Sequence, residues 1–413
     1  MPDQVPCEVI PYLQDARRTA PDQAGPLVWL YPFDEYHDLV YAGERLEEVF
    51  AGDYLIRGAI NCGLPLNTVI STGNFLSAPE AVFQDRILVA PTAVTVNPQV
   101  TAKLEAFLAS GGRVLFYGPA RGEAVERLLG VVPAEPLDGE FDVVGFGRVK
   151  HLARYSGGAL DREFAPGSPA ETMFRYECGG QSRPAVSRVA KPEWNGGSIV
   201  WVRGSNSFSM EKNCHFSTAF DRNVFERSEA MLVRALAQFG YAIEFDRADA
   251  TTPEPRLTLR FCDNSLRLSG FGTDTTVVEH FRFPDGAPVF TGSDTLVRNG
   301  FAAYPAERAV NRECRFFVAM QEGRLRCREE ISLMPGVKRR ISLGGLSAAR
   351  VVFRPEAGHV ASVRFSRGGY AGVKRTLLEP SAFEARLETD GFGPKYILEN
   401  ISGDLLVSWG EEN

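Results

Sequence analysis

Ile87-Leu88-Val89-Ala90-Pro91, then Asn97-Pro98-Gln99-Val100 running on to Ser110, then Gly111-Gly112-Arg113-Val114-Leu115-Phe116-Tyr117: this stretch decides the fold of the first half of the chain. A short apolar run closed by a proline reads as a buried strand. Asn97 can cap a helix, and Pro98 suits its first turn. Val100, Leu104, Phe107 and Leu108 recur at helical spacing and make one apolar face. Gly111-Gly112 ends the helix, because glycine enters the left-handed conformation after a C-cap without a Cβ penalty. Arg113–Tyr117 is a second strand, Gly118-Pro119 a sharp turn and Glu123–Leu129 a short helix. Strand, helix, strand with short connections implies parallel strands and a right-handed crossover.

Outward from this core the same rhythm continues. Leu27–Tyr31 is an apolar run stopped by Pro32, and Leu66–Ile70 is strand-like. Leu46, Val49, Phe50, Ile56 and Ile60 follow helical spacing, with Gly63 as a stop. Residues 138–190 break the pattern: Phe141–Val149, Thr172–Cys178 and Ala185–Val189 are short strands among glycines, expected to form a β-rich insertion. The α/β pattern resumes at Ser198–Val202. A helix with Phe225, Leu232, Leu236 and Phe239 on one face follows, Gly240 stops it, and Ala242–Phe245 is expected to close the sheet. The expected organisation is a leader over residues 1–25, an α/β domain over 26–248 and an all-β domain over 256–413, with a linker around Pro253 and Pro255.

The second half holds no convincing helix, and its strand runs recur about every ten residues, as in a β-sandwich. Cys314, Phe316, Val318 and Met320 share one face of a run, with Arg315, Phe317 and Ala319 on the other. Leu325, Cys327, Ile331 and Leu333 oppose Arg324, Arg326, Arg328 and Glu330. This alternation is that of antiparallel sheet with one wet face, and Glu322-Gly323 between the runs predicts a hairpin.

Composition bounds the function. Apolar residues make up 44% and charged residues 23%, enough for a large packed core. The net charge of −7 argues against a nucleic-acid partner, which needs a basic footprint. No apolar run approaches the ~20 residues that span a bilayer, so no membrane partner is expected. The first residues lack a charged start and an apolar core, so no secretory signal is expected. Seven cysteines without a CxxC pair favour a reducing, cytoplasmic setting without structural zinc. Five histidines, none in HExxH spacing, give no metal site, and no cofactor is expected.

The candidates for chemistry are few. Open parallel sheets bind ligands beyond the carboxyl ends of their strands. There the chain offers Asp34-Glu35-Tyr36-His37 after the first strand, set against a solvated loop in which Asp34 caps the next element. Glu193, Trp194 and Asn195 form a turn suited to stacking on and hydrogen bonding to a sugar, set against a turn whose Trp tucks inward. Cys214-His215 invites a thiol–imidazole reading, but adjacent residues on an extended chain point apart. The elbow Tyr117-Gly118-Pro119-Ala120-Arg121-Gly122 holds no Ser or Cys, so no catalytic residue is assigned to it. Arg324, Arg326 and Arg328 make either a solvated face or one that meets a partner.

Ile87–Pro91, the helix Asn97–Ser110 and Gly111–Phe116, with Leu128-Leu129-Gly130-Val131 and Leu232–Tyr241, resemble the trimerisation domain of family 42 glycoside hydrolase β-galactosidases. That module is glutamine amidotransferase-like, and its elbow has lost the nucleophile. The resemblance covers roughly residues 26–245. It implies a flavodoxin-like or amidotransferase-like parallel sheet, a homo-oligomer and a (β/α)8-barrel catalytic partner or domain acting on carbohydrate. A barrel needs ~250 residues, which this chain lacks beside its two domains, so the family's catalytic glutamates are not carried over. The expected function is a non-catalytic assembly module that can contact carbohydrate. Two others stay open: a self-sufficient hydrolase using Asp34, Glu35 and His37, and a carbohydrate-binding protein. Phe208, Phe216 and Phe220 in a polar loop favour self-association.

Overall fold

The computed structural model describes residues 23–41, 55–137, 139–145, 152–155, 160–203, 228–248, 252–272, 277–330, 339–368 and 383–410. The leader, Leu46–Phe50, the pair Cys214-His215 and Phe208, Phe216, Phe220 and Phe225 lie outside them. The chain divides into two compact units, one spanning Leu27–Phe239 and one containing Gly240–Asn413.

In the α/β unit, β1 (Leu27–Tyr31), β2 (Thr68–Ser71), β3 (Ile87–Pro91) and β4 (Arg113–Tyr117) are joined by helices α1 (Phe33–Tyr41), α2 (Thr72–Ser77) and α3 (Pro98–Ala109). Helix α4 (Glu123–Leu129) follows β4. The insertion contributes β5 (Val131–Pro133), β6 (Gly139–Gly145), β7 (Leu152–Tyr155), β8 (Arg162–Phe164), β9 (Ala170–Cys178) and β10 (Gln181–Val189). Then come β11 (Ser198–Val202) and α5 (Ser228–Ala235). One sheet runs β2-β1-β3-β4-β11-β10-β9-β6-β7. Its first five strands are parallel, and β10, β9, β6 and β7 extend it antiparallel. The insertion therefore continues the main sheet, with only β5 and β8 paired apart.

The deciding stretch folds as its chemistry dictates. Asn97 Oδ1 accepts from the amides of Gln99 and Val100 and caps α3. Gly111 takes φ +92° after the C-cap. Gly112 is required for a second reason: a Cβ there would lie 2.4 Å from the Phe107 carbonyl oxygen. β3 is buried along its whole length, as is β11. Lys103 on α3 closes the adjoining helix end. Its Nζ donates to the carbonyls of Phe75 (2.6 Å), Leu76 (3.1 Å) and Ala78 (2.7 Å) while sitting 5.1 Å from the Phe75 ring centroid. A cation meets orphan carbonyls at the end of α2, where the helix dipole favours it.

The second unit is built of strands: β12 (Ala242–Asp246), β13 (Arg256–Cys262), β14 (Ser265–Phe271), β15 (Val278–Arg282), β16 (Ala287–Phe290), β17 (Asp294–Arg298), β18 (Phe301–Pro305), β19 (Ala309–Ala319), β20 (Gly323–Glu330), β21 (Arg339–Phe353), β22 (Arg364–Arg367), β23 (Arg386–Asp390) and β24 (Gly393–Trp409). All their pairings are antiparallel. Among the described residues, hydrogen bonding joins them in one sheet of 13 strands. The long pair β21–β24 shifts register three times between Leu343 and Val351, which lets one ladder serve different parts of the sheet.

Three local expectations are corrected. Ala242–Phe245 does not close the α/β sheet: β12 pairs with β15 in the β unit. The two runs around Glu322-Gly323 form no hairpin, because β20 pairs with β17 and β21, and β21 lies between β20 and β19. The wet-face pattern holds on β20, where Arg324, Arg326 and Arg328 are exposed and Leu325 and Cys327 buried, but fails on β19, where Arg315 is 2% exposed.

Lys103→Met keeps the stem and removes the donor. It is expected to lower the unfolding free energy by about 1–3 kcal/mol, read from urea midpoints of the two proteins. A change within a few tenths would show that the three carbonyls find other partners.

Candidate functional site

Strand order reverses between β1 and β3, since the chain steps from β1 to β2 on one side and to β3 on the other. Open α/β sheets form their ligand crevice at such a point, beyond the carboxyl ends of the strands. Four turns converge there: α1 after β1, Ser71-Thr72 after β2, the 3₁₀ turn Thr92–Val96 after β3, and the elbow after β4.

Asp34, Glu35 and His37 lie in the first turns of α1, not in a loop. Asp34 and His37 are exposed, and His37 Nδ1 is 3.5 Å from an Asp38 carboxylate oxygen. Glu35 is buried at 6% exposure. Its Oε2 accepts from Thr72 Oγ1 at 2.8 Å and its Oε1 from Asn97 Nδ2 at 2.8 Å. One carboxylate thus ties the turns after β1, β2 and β3 together. Thr72 was not singled out in the sequence, and Asn97 was read only as a helix cap. Their place directly after apolar runs is the signal that could have found them. Asn97 does both tasks, with its oxygen on α3 and its nitrogen on Glu35.

An aromatic group surrounds the end of β1. The Tyr31 ring meets Trp29 at 4.9 Å, Phe33 at 5.6 Å and Tyr36 at 5.6 Å, all edge-on. Trp29 Nε1 donates to the Tyr117 hydroxyl at 2.9 Å across β3. Phe33 is 67% exposed, so a large apolar ring stands open beside Asp34 and His37.

The elbow is fully engaged in packing. Thr92 Oγ1 donates to the Pro119 carbonyl at 2.7 Å, Trp201 Nε1 donates to the Gly118 carbonyl at 2.8 Å, and the Gly118 amide donates to Val202 O at 3.0 Å. Gly118 and Gly122 both take positive φ, 98° and 102°.

Glu193, Trp194 and Asn195 occupy the opposite edge of the sheet, just before β11 begins. Trp194 is only 5% exposed, with Lys191 Nζ 5.1 Å from its ring centroid. Of the two readings of this turn, the buried indole agrees with the one in which the Trp tucks inward. Asn195 takes the left-handed conformation and its Nδ2 donates to the Ala109 carbonyl at the end of α3, so it is a structural residue of that turn. Glu193 is exposed. The structure therefore does not bring the two predicted clusters together.

The β unit holds a second concentration of charge. Glu313 accepts from Arg315 Nε (2.5 Å) and from Arg339 Nη2 (2.6 Å), and Arg267 lies 3.7 Å away. Burial pushes the Glu313 carboxyl up, but the Arg339 hydrogen bond and the charges of Arg315, Arg339 and Arg267 outweigh it and hold it at about 2. Arg315 and Arg339 also stack near the Trp409 ring, at 6.0 and 5.3 Å. Glu313, Arg315 and Arg339 bind one another directly, which marks the group as structural. On the exposed face of β20, Arg324 and Arg328 pair with Asp294, and Arg326 lies 3.9 Å from Asp404. Among the described residues, no three His, Cys, Asp or Glu side chains group as metal ligands, and no helix is long and apolar enough to cross a membrane.

No family model matches the sequence, and no curated protein matches it. Among solved structures, the chain is similar to α-L-fucosidase isoenzyme 2 from Paenibacillus thiaminolyticus, with TM-score 0.41 and 13% identity over 98% of this chain and 51% of that one. It is also similar to the exo-β-1,4-mannosidase Op5Man5 from Opitutaceae bacterium strain TAV5, with TM-score 0.34 and 15% identity over 51% of this chain and 35% of that one. The chain thus spans about half the length of the fucosidase.

The Glu313 geometry gives a pH dependence with a definite sign. A carboxyl held at about 2 when folded and at 4.5 otherwise stabilises the fold fully above the higher value, and that stability is lost as pH falls towards the lower. The loss amounts to roughly 3 kcal/mol at 1.36 kcal/mol per pKa unit. Glu313→Gln is expected to flatten the acid limb of a plot of urea midpoint against pH below about pH 4. An unchanged limb would show that the arginines do not stabilise the folded carboxylate.

Proposed function

We propose that this chain is a non-catalytic assembly module of a β-galactosidase-like glycoside hydrolase system, with the crevice at the β1/β3 switch point as its carbohydrate-contacting edge. The observation that carries the reading is how the polar groups of that edge are used. Both oxygens of Glu35 are held by Thr72 and Asn97, and the elbow carbonyls of Gly118 and Pro119 are held by Trp201 and Thr92. A nucleophile elbow needs a nucleophile with a base in reach, and a general acid or base must reach the reacting atom. Here the groups in those places hold the turns together instead.

Two further observations support it. The parallel strand order β2-β1-β3-β4-β11 supports the flavodoxin-like reading that the resemblance to the trimerisation domain implies. Phe33, exposed beside Asp34 and His37, pairs an apolar ring face with hydrogen-bonding groups, the combination that sugar rings bind. In this reading the chain self-associates and works beside a (β/α)8-barrel catalytic partner or domain.

The test is made on the purified full chain. Light scattering at micromolar concentration is expected to give a mass above the monomer's 45.4 kDa, and a panel of aryl glycosides is expected to give no turnover above background. A strict monomer would remove the assembly role. Turnover abolished by Asp34→Asn or His37→Ala would replace this reading with that of a self-sufficient hydrolase acting at the same edge.

A further inference from the structure

Glu279 on β15 is a buried acid that none of the interactions above employs. It is 3% exposed, and its Oε1 is buried without a hydrogen-bond partner. Its strand lies between β12 and β18, with Phe245 directly opposite on one side and Tyr304 on the other. Among the described residues, β12 pairs with β15 alone, so this ladder is what holds β12 in the sheet.

The charged and titratable groups facing Glu279 can be named element by element. From β12 comes only the uncharged Phe245, and from β18 the Tyr304 phenol, which donates to the Pro288 carbonyl at 2.8 Å and is kept protonated by burial. From β19 comes Arg312, whose guanidinium lies 5.9 and 5.6 Å from the Phe290 and Tyr304 ring centroids and is paired with Glu307 at 2.5 Å. β16 (Ala287–Phe290) brings no ionisable group. Arg312 is thus partly neutralised by Glu307 and makes no hydrogen bond to the Glu279 Oε1. On the reverse face of the same ladder, His280 Nε2 lies 2.8 Å from Asp246 Oδ2, and Glu244 stands opposite His280 in register.

We propose that Glu279 makes the β12–β15 ladder a pH-sensitive latch, closed while the buried carboxyl keeps its proton and locally opened, releasing β12, when the proton is lost. A buried carboxylate with an unpartnered oxygen is costly, and opening the ladder lets water reach it. The direction follows from linkage. Burial pushes the Glu279 carboxyl up, Arg312 pulls it down and Glu307 pushes it up, leaving it at about 7 against 4.5 when solvated. The closed ladder is therefore strongest below the solvated value, weakens as pH rises through this window and changes little above it.

Hydrogen exchange on the full chain, followed by mass spectrometry and corrected for intrinsic rates, tests this. Between about pH 5 and about pH 8, protection of the β12 amides is expected to fall roughly 50- to 100-fold, while the β21–β24 ladder keeps its protection. Glu279→Gln is expected to remove most of the pH-dependent change in β12. Should that variant fold poorly, Glu307→Gln serves in its place. Removing the exposed negative charge frees Arg312 to hold the Glu279 carboxylate, and the transition is expected at lower pH. Protection of β12 that does not change with pH, a change shared equally by β21–β24, or a transition unmoved by either variant would overturn the latch.

Discussion

Burying a carboxylate beside three strand-to-helix turns costs several kcal/mol unless donors meet it, and Glu35 is met on both oxygens. Thr72 and Asn97 come from the crossovers after β2 and β3, and Glu35 from the one after β1. The three turns are consequently fixed relative to one another at the place where the sheet reverses its strand order. Asn97 cannot shift without uncapping α3, because its other amide atom accepts from Gln99 and Val100. The carboxyl edge is thus a rigid frame. Exposed on its rim are the Phe33 ring and the side chains of Asp34 and His37.

What the sequence disclosed, and what it withheld, follows from the range of the interactions. Asn97-Pro98 and Gly111-Gly112 carry local physics, a cap and a left-handed turn, and the elements they bound are where that physics puts them. Partner choice is not local. Ala242–Phe245 has the periodicity of a strand in either sheet, and only the tertiary pairing with Val278–Arg282 assigns it to the β unit. The runs flanking Glu322-Gly323 look like a hairpin because a glycine turn joins them, yet Arg339–Phe353 intervenes. Nothing within either run reports a strand that begins only at Arg339, beyond both of them.

Exposure is equally non-local. Pro192-Glu193-Trp194-Asn195-Gly196-Gly197 has the composition of a surface turn, and the turn is there. Its indole is covered because Gly197 brings the chain into contact with the end of α3, where a Cβ would lie 2.2 Å from the Leu108 carbonyl oxygen. Arg315 falls on the polar side of an alternating run, which predicts solvent. Instead Glu313, Asp263, Glu356 and the Trp409 ring cover it. An arginine with a full set of acidic partners and an aromatic face is among the few charged residues that a core accepts. Alternation in sequence shows which side a residue faces. It does not show what waits on that side.

Three buried acids make the same point about chemistry. Glu35 has two neutral donors, Glu313 has guanidinium groups on both oxygens, and Glu279 has one oxygen with no hydrogen bond and a cation whose charge is shared with Glu307. Depth does not separate them, since each is less than about a tenth exposed. The partners do. Arginines hold the Glu313 carboxyl far below its ordinary value, while solvent exclusion raises that of Glu279 to near neutrality. Glu313 therefore resists acid titration until the fold itself is at risk, and Glu279 changes state in the range where a protein works. A group that titrates in that range from inside a ladder couples proton uptake to the pairing of two strands, whereas the matched network around Glu313 is built to keep its charge. The two acids belong to one sheet and answer different parts of the pH scale, Glu313 in acid and Glu279 near neutrality.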